Sequence, residues 1–148
     1  MKTLHKVGAF VIRCRAGRQP ELLLFTHADF PEAPIQIPGG GIEQGEDPDV
    51  AVLRELDEEA GLRSLTLIRK LGVSEVASIV TRDGVLKRHC YLFDGGSLPD
   101  SWRHIVTGKG EDAALRFDYA WHPVARDFSL SGDLGYFLSP LHIPELYS

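Results

Sequence analysis

An α/β architecture is what the pattern of this chain predicts. Runs rich in aliphatic and β-branched residues recur along its 148 residues, and two helical segments interrupt them. No linker, repeat or low-complexity stretch divides the sequence, so residues 1–148 read as a single domain with room for a substantial core.

The elements follow in order. Leu4 to Cys14 reads as a first strand, ended by a turn at Ala16-Gly17. Glu21 to His27 reads as a second, and its continuous apolar run suggests burial on both faces. Ala28 to Pro34, with two prolines, is a loop leading to a short strand from Ile35 to Ile37. Asp47-Pro48 is a helix start, because an Asp side chain caps free amides and proline at the first helical position sacrifices no hydrogen bond. Gly61 is the matching stop, which places a helix from about Pro48 to Ala60. Leu65 to Val80 contains one or two strands, and Asp83-Gly84 signals a two-residue hairpin turn into Val85 to Asp94. Gly95 to Gly110 is polar and irregular. Ala113 to Pro123 alternates Leu115, Phe117, Tyr119 and Trp121 as a last strand, and a short helix around Asp133 to Leu141 closes the chain.

The predicted helix carries the chemistry. With about 3.6 residues per turn, Glu55, Glu58 and Glu59 share one face. Val52, Leu53, Leu56 and Ala60 fall largely on the opposite face, suited to burial against a sheet. Like charges so placed repel by roughly a few tenths of a kcal/mol per exposed pair, and more when desolvated. A divalent cation removes that repulsion, and oxygen-only ligands favour Mg²⁺ or Mn²⁺ over zinc. Ahead of the helix, Pro38-Gly39-Gly40-Gly41 lets backbone approach a ligand closely and turn its polar groups toward a metal or phosphate.

As a pattern, the stretch is Gly40, five residues, Glu46, seven residues, then Arg54-Glu55-Leu56-x-Glu58-Glu59-x-Gly61-Leu62. At average residue usage its chance occurrence is on the order of one in a hundred million or lower per starting point. This is a complete Nudix box, and the chain resembles a Nudix hydrolase. The resemblance implies an α/β/α sandwich around a mixed sheet. It implies Glu58 and Glu59 as main metal ligands, Glu55 as a further ligand or the general base, and the Gly39 carbonyl as a ligand. Arg54 would orient a carboxylate of the set, Glu46 would support the loop–helix geometry, and Gly40 would face substrate. Water would attack a diphosphate linkage in a nucleoside diphosphate joined to some group X. Nudix enzymes commonly take a further group from a late loop. Gly108-Lys109-Gly110-Glu111-Asp112 is the candidate here, with Lys109 and Glu111 toward substrate and Asp112 toward metal. A proline typical of ADP-ribose enzymes and a tyrosine typical of dinucleoside-polyphosphate enzymes, both about fifteen residues beyond the box, are absent. That leans toward a nucleoside triphosphate pyrophosphatase or a less specialised diphosphate hydrolase. Binding-only relatives usually lose box glutamates, and all are present here.

Composition narrows the partners. Hydrophobic content of 43% and charged content of 25% are average, and a net charge of −5 argues against general nucleic-acid binding. The apolar run Val7 to Ile12 is too short for a membrane span, and no signal-peptide context surrounds it, so a cytoplasmic enzyme is expected. The sequence is compatible with a homodimer. Cys14 and Cys90 lie in strand-like stretches and read as reduced packing residues. Trp102 reads as a loop residue that either stacks on a base or packs on the core edge, and Trp121 as core. His27, His89 and His122 read as structural, and Arg82, Lys87 and Arg88 as hairpin-tip charges that would also suit a phosphate contact.

Overall fold

The computed structural model describes residues 2–78, 83–125 and 128–147. Its elements are β1 (Thr3–Arg13), β2 (Glu21–His27), β3 (Gly39–Gly41), α1 (Pro48–Glu55), β4 (Thr66–Ala77), β5 (Val85–Asp94), β6 (Ser101–Ile105) and β7 (Arg116–Pro123). The strands form a seven-stranded mixed sheet in the order β4-β5-β1-β2-β7-β6, with β3 added to β1. β1 runs parallel to β5 and antiparallel to β2 and β3. Its edge away from β5 is divided. Lys6 to Gly8 pair with Gly41 to Gly39, whereas Ile12 and Arg13 pair with Leu22 and Glu21. β3 thus brings the glycines of the box onto the sheet, beside the helix that follows them.

β1 and β2 are buried on both faces, as the unbroken apolar run of β2 predicts. One face gathers Val7, Val11, Leu23, Phe25, Tyr91, Phe93 and Tyr119 under Ala51, Val52, Leu56 and Ala60 of the helical segment. The other gathers Phe10, Ile12, Leu22, Leu24 and Leu92 under Leu130, Phe137, Leu138, Ile143 and Leu146 of the C-terminal segment. That second layer is tied down by Arg88, which donates to Asp133 Oδ2 at 2.8 Å, and by Arg69, which pairs with Glu145. Arg88 is therefore committed to an internal ion pair rather than exposed at a hairpin tip. Lys87 lies near Glu75, and Arg82 falls outside the described residues.

Several expectations require correction. The third strand is Gly39–Gly41, while Ile35 to Ile37 contributes only a bridge between Gln36 and Phe25. β4 is a single strand, within the one or two expected, with irregularities between Leu67 and Arg69 and between Lys70 and Gly72. It ends with Ala77 opposite Val85, so the connection to β5 is longer than the two-residue turn suggested by Asp83-Gly84. Part of that connection, including Val80, lies outside the described residues. Residues 101–105, read as irregular, form the edge strand β6. A closing helix at Asp133 to Leu141 is replaced by short 3₁₀ turns at Gly132–Gly135 and Pro144–Leu146. Gly135 and Pro140 explain this, since each disfavours a continuous helix. Cys14 and Cys90 are both free thiols, but Cys14 is exposed rather than packed.

The helix begins as expected. Asp47 caps it by accepting from the Asp49 amide, and Pro48 stands in the first turn. Its regular part stops at Glu55, and Leu56–Ala60 continue as a π-helical turn ended by Gly61 at φ 73°. Within α1 the buried stripe is centred on Ala51 and Val52, so Leu53, expected inside, is 51% exposed. Leu56, at 2% exposure, seats the π-turn on the core. Leu56→Ala should lower unfolding free energy by roughly 2–5 kcal/mol, read from the urea midpoint at unchanged m-value. A loss well under 1 kcal/mol would show that the turn is not anchored there.

Candidate active site

Three pieces of chain line one open cleft of about 820 Å³: the glycine strand β3, the acidic helical segment, and the loop Val106–Ala113 that follows β6. Glu55, Glu58 and Glu59 all border it, together with Arg54, Glu43, Lys109, Glu111 and Asp112. Gly40 and Gly41 line it, whereas Gly39 sits behind them in the β1–β3 ladder. Lys6 of β1 is a lining residue that the motif did not reveal. Its place follows only from the pairing of Lys6 with Gly41, which no local pattern announces.

Arg54 is the centre of the polar network. Its Nε and Nη2 donate to the two oxygens of Glu46 at 2.8 and 2.9 Å, and Nη2 also donates to the Gly41 carbonyl at 2.8 Å. Nη1 donates to Glu55 Oε1 at 2.9 Å and to Glu58 Oε2 at 3.0 Å. Glu46 in turn accepts from the Glu43 amide at 3.0 Å. This bidentate geometry is particular to the guanidinium fork. It holds the Glu46 carboxyl below the usual range and raises the already high Arg54 pKa further.

Glu55 and Glu59 shift the opposite way from Glu46, where the hydrogen bonds from Arg54 outweigh desolvation. Glu59 is 6% exposed, and its Oε1 accepts from the Gly39 amide at 3.0 Å. Burial pushes its pKa up to about 8, and the charges of Glu55 and Asp112 act in the same direction. Burial also raises Glu55, with Arg54 opposing. Close approach is built into the backbone here. A Cβ on Gly40 would lie 2.4 Å from the Glu55 carboxyl carbon, and one on Gly108 would lie 2.4 Å from Glu58 Oε1. The late loop therefore runs directly against the box acids.

The donor set suits a hard divalent cation: carboxylate oxygens from one helical segment, two of them desolvated and each favouring neutralisation. Among the described residues no three acid, imidazole or thiol groups already converge on one point, because Arg54 Nη1 lies between Glu55 and Glu58.

A NUDIX domain model matches residues 4–126. The chain belongs to the NUDIX domain family. Diphosphoinositol polyphosphate phosphohydrolase 3-alpha of Mus musculus is 46% identical over 93 residues, which are 63% of this chain and 53% of that protein. Nudix hydrolase 26, chloroplastic, of Arabidopsis thaliana is 42% identical over 55 residues, 37% of this chain and 25% of that one. The matched region spans about half the length of the diphosphoinositol relatives. The fold resembles that of the NUDIX domain of Shewanella oneidensis NrtR, solved with ADP ribose. That match has TM-score 0.67 and 21% identity, covering 99% of this chain and 87% of that one. It also resembles a C. elegans Ap4A hydrolase, with TM-score 0.58 and 20% identity over 80% of this chain and 78% of that one. Among the described residues, no helix of this NUDIX protein is long and apolar enough to cross a membrane.

The Glu59 environment has a measurable consequence. A carboxyl whose folded-state pKa lies above its ordinary value holds its proton more tightly folded than unfolded. Its contribution to stability is present below about pH 4.5 and lost as pH rises through about 8. Acids held low, such as Glu46, act oppositely but lose their effect only below their ordinary pKa. In chelator, Tm should therefore fall between pH 5 and pH 8.5. Glu59→Gln should flatten that fall, leaving the smaller Glu55 component. An equal slope in both proteins would place the titration elsewhere.

Proposed function

We propose that this NUDIX chain hydrolyses a phosphoric anhydride bond in a phosphorylated small molecule, using Mg²⁺ or Mn²⁺. The observation that carries this reading is the convergence of the box acids and the late loop on one cleft. Glu58 and Glu59 would be the main ligands of the ion, with Glu55, the Gly39 carbonyl and Asp112 as further candidates. When bound, the ion supplies charge neutralisation at the diphosphate oxygens and a water of lowered pKa.

The remaining work falls to the protein. Arg54, fixed on Glu46 and the Gly41 carbonyl, holds Glu55 and Glu58 in register. Glu55 is our choice of general base: it borders the cleft, and burial raises its proton affinity toward the useful range. Lys109 and Lys6 are the cations available to non-reacting phosphate oxygens, Gly40 offers close backbone approach, and Glu111 faces substrate from the late loop.

Two substrate classes stand. A nucleoside diphosphate joined to a group X, including a nucleoside triphosphate, follows from the box. A diphosphate on a polyphosphorylated inositol is favoured by the 46% identity to a diphosphoinositol polyphosphate phosphohydrolase. Phosphate release from nucleoside triphosphates, ADP-ribose, dinucleoside polyphosphates and diphosphoinositol polyphosphates should separate them. Activity should vanish in chelator and return with Mg²⁺. It should fall by about two orders of magnitude or more in Glu59→Gln, as expected for loss of a metal ligand. Full turnover in that variant would remove Glu59 from the mechanism. A panel left intact by the wild type would favour a binding-only NUDIX protein.

A further inference from the structure

The end of a helix leaves its last carbonyls without intrahelical partners. In the π-turn the first two, of Leu56 and Asp57, accept from the amides of Leu62 and Gly61. The next three are taken up in sequence by groups from a distant part of the chain. The Glu58 carbonyl accepts from His104 Nε2 at 2.9 Å and from the Thr107 amide at 2.9 Å. The Glu59 carbonyl accepts from the buried Tyr119 hydroxyl at 2.8 Å. The Ala60 carbonyl accepts from Trp102 Nε1 at 3.1 Å. Trp102 and Tyr119 are cross-strand partners on β6 and β7, with rings stacked at 5.1 Å. The His104 ring lies under Gly61, where a Cβ would meet its Nδ1 at 2.9 Å.

None of these three side chains borders the cleft, yet His104 and Tyr119 hold the backbone of Glu58 and Glu59, whose carboxylates do, and Trp102 holds the residue that follows them. We propose that Trp102, His104 and Tyr119 are positioning residues, which fix the π-turn on β6–β7 and so aim Glu58 and Glu59 into the cleft. The proposal rests on the reading that those acids hold the ion. Ending the turn is not what the donors do, since Gly61 does that, and the carbonyls of the buried Glu59 and Ala60 need protein partners in place of water. The donors instead set where the turn stands. β6 leads straight into Val106 and Thr107, so the same hydrogen bonds also set the approach of the late loop to Glu58.

The test uses the full chain with Tyr119→Phe, His104→Phe and His104→Gln. Mn²⁺ alone is titrated into metal-free protein and followed by electron paramagnetic resonance, at a temperature where melting curves show every variant folded. Kinetics with Mg²⁺ run in parallel. Tyr119→Phe and His104→Phe should each weaken Mn²⁺ binding by about ten-fold and lower kcat similarly, as supporting groups around metal ligands do. KM for the diphosphate substrate should stay within about two-fold, since neither side chain meets it. His104→Gln, which keeps a donor, should recover most of the loss. Variants with lowered Tm but wild-type Mn²⁺ affinity and kcat would overturn the proposal and leave these contacts structural only. If Mn²⁺ binding weakens as expected while the wild type cleaves no diphosphate, the positioning role stands and the hydrolytic reading fails. A wild type that binds no Mn²⁺ overturns both.

Discussion

Four carboxylates cannot be gathered beside one helix without positive charge among them, and Arg54 supplies it. Its five N–H groups are distributed over Glu46, the Gly41 carbonyl, Glu55 and Glu58. The guanidinium therefore does more than neutralise. It joins the glycine strand, the loop before the helix and the acidic turn through donors of fixed relative direction. A lysine would carry the same charge but would satisfy fewer of these partners and fix none of their angles. The arrangement is also incomplete as a charge balance. Glu59, buried and beyond the reach of Arg54, has the Gly39 amide and the charge of Lys6 to favour its anion, and burial outweighs both. Glu59 therefore holds its proton more tightly than a free carboxyl does, and a cation bound there would displace it.

Local chemistry made much of this legible beforehand. Asp47, Pro48 and Gly61 mark the ends of the helical segment because capping and left-handed conformations are decided by single residues. The spacing of Glu46, Arg54, Glu55, Glu58 and Glu59 brings those groups together because a helix converts sequence spacing directly into proximity. The alternation of Phe117, Tyr119 and Trp121 places them on one buried face for the same kind of reason. The 3.6-residue reading misplaced Leu53, which lies off the α1 stripe of Ala51 and Val52.

What stayed hidden depends on pairing between distant segments. β6 is five residues long, lies at the sheet edge, and contains Ser101, Arg103 and His104, so its composition resembles a loop. Only its ladder with β7 makes it a strand, and only that ladder turns Trp102 and His104 toward the π-turn. Trp102 is thus a strand residue packed on the core edge: its ring stacks on Tyr119 and its N–H is committed. Lys6 was equally invisible, since its place beside the acids comes from the opposing Gly41.

The same division explains why the box speaks to the reaction more clearly than to the substrate. The box acids, proposed to act on a diphosphate, lie within one continuous segment, where spacing sets proximity. Residues that would meet the rest of the molecule come from β1 and from the loop between β6 and β7, brought in by the sheet. Between the box and that loop stand Trp102, His104, Thr107 and Tyr119, hydrogen-bonded to the backbone carbonyls of Glu58, Glu59 and Ala60. The loop after β6 and the acidic turn are thus joined directly through the Glu58 carbonyl, which both His104 and Thr107 hold.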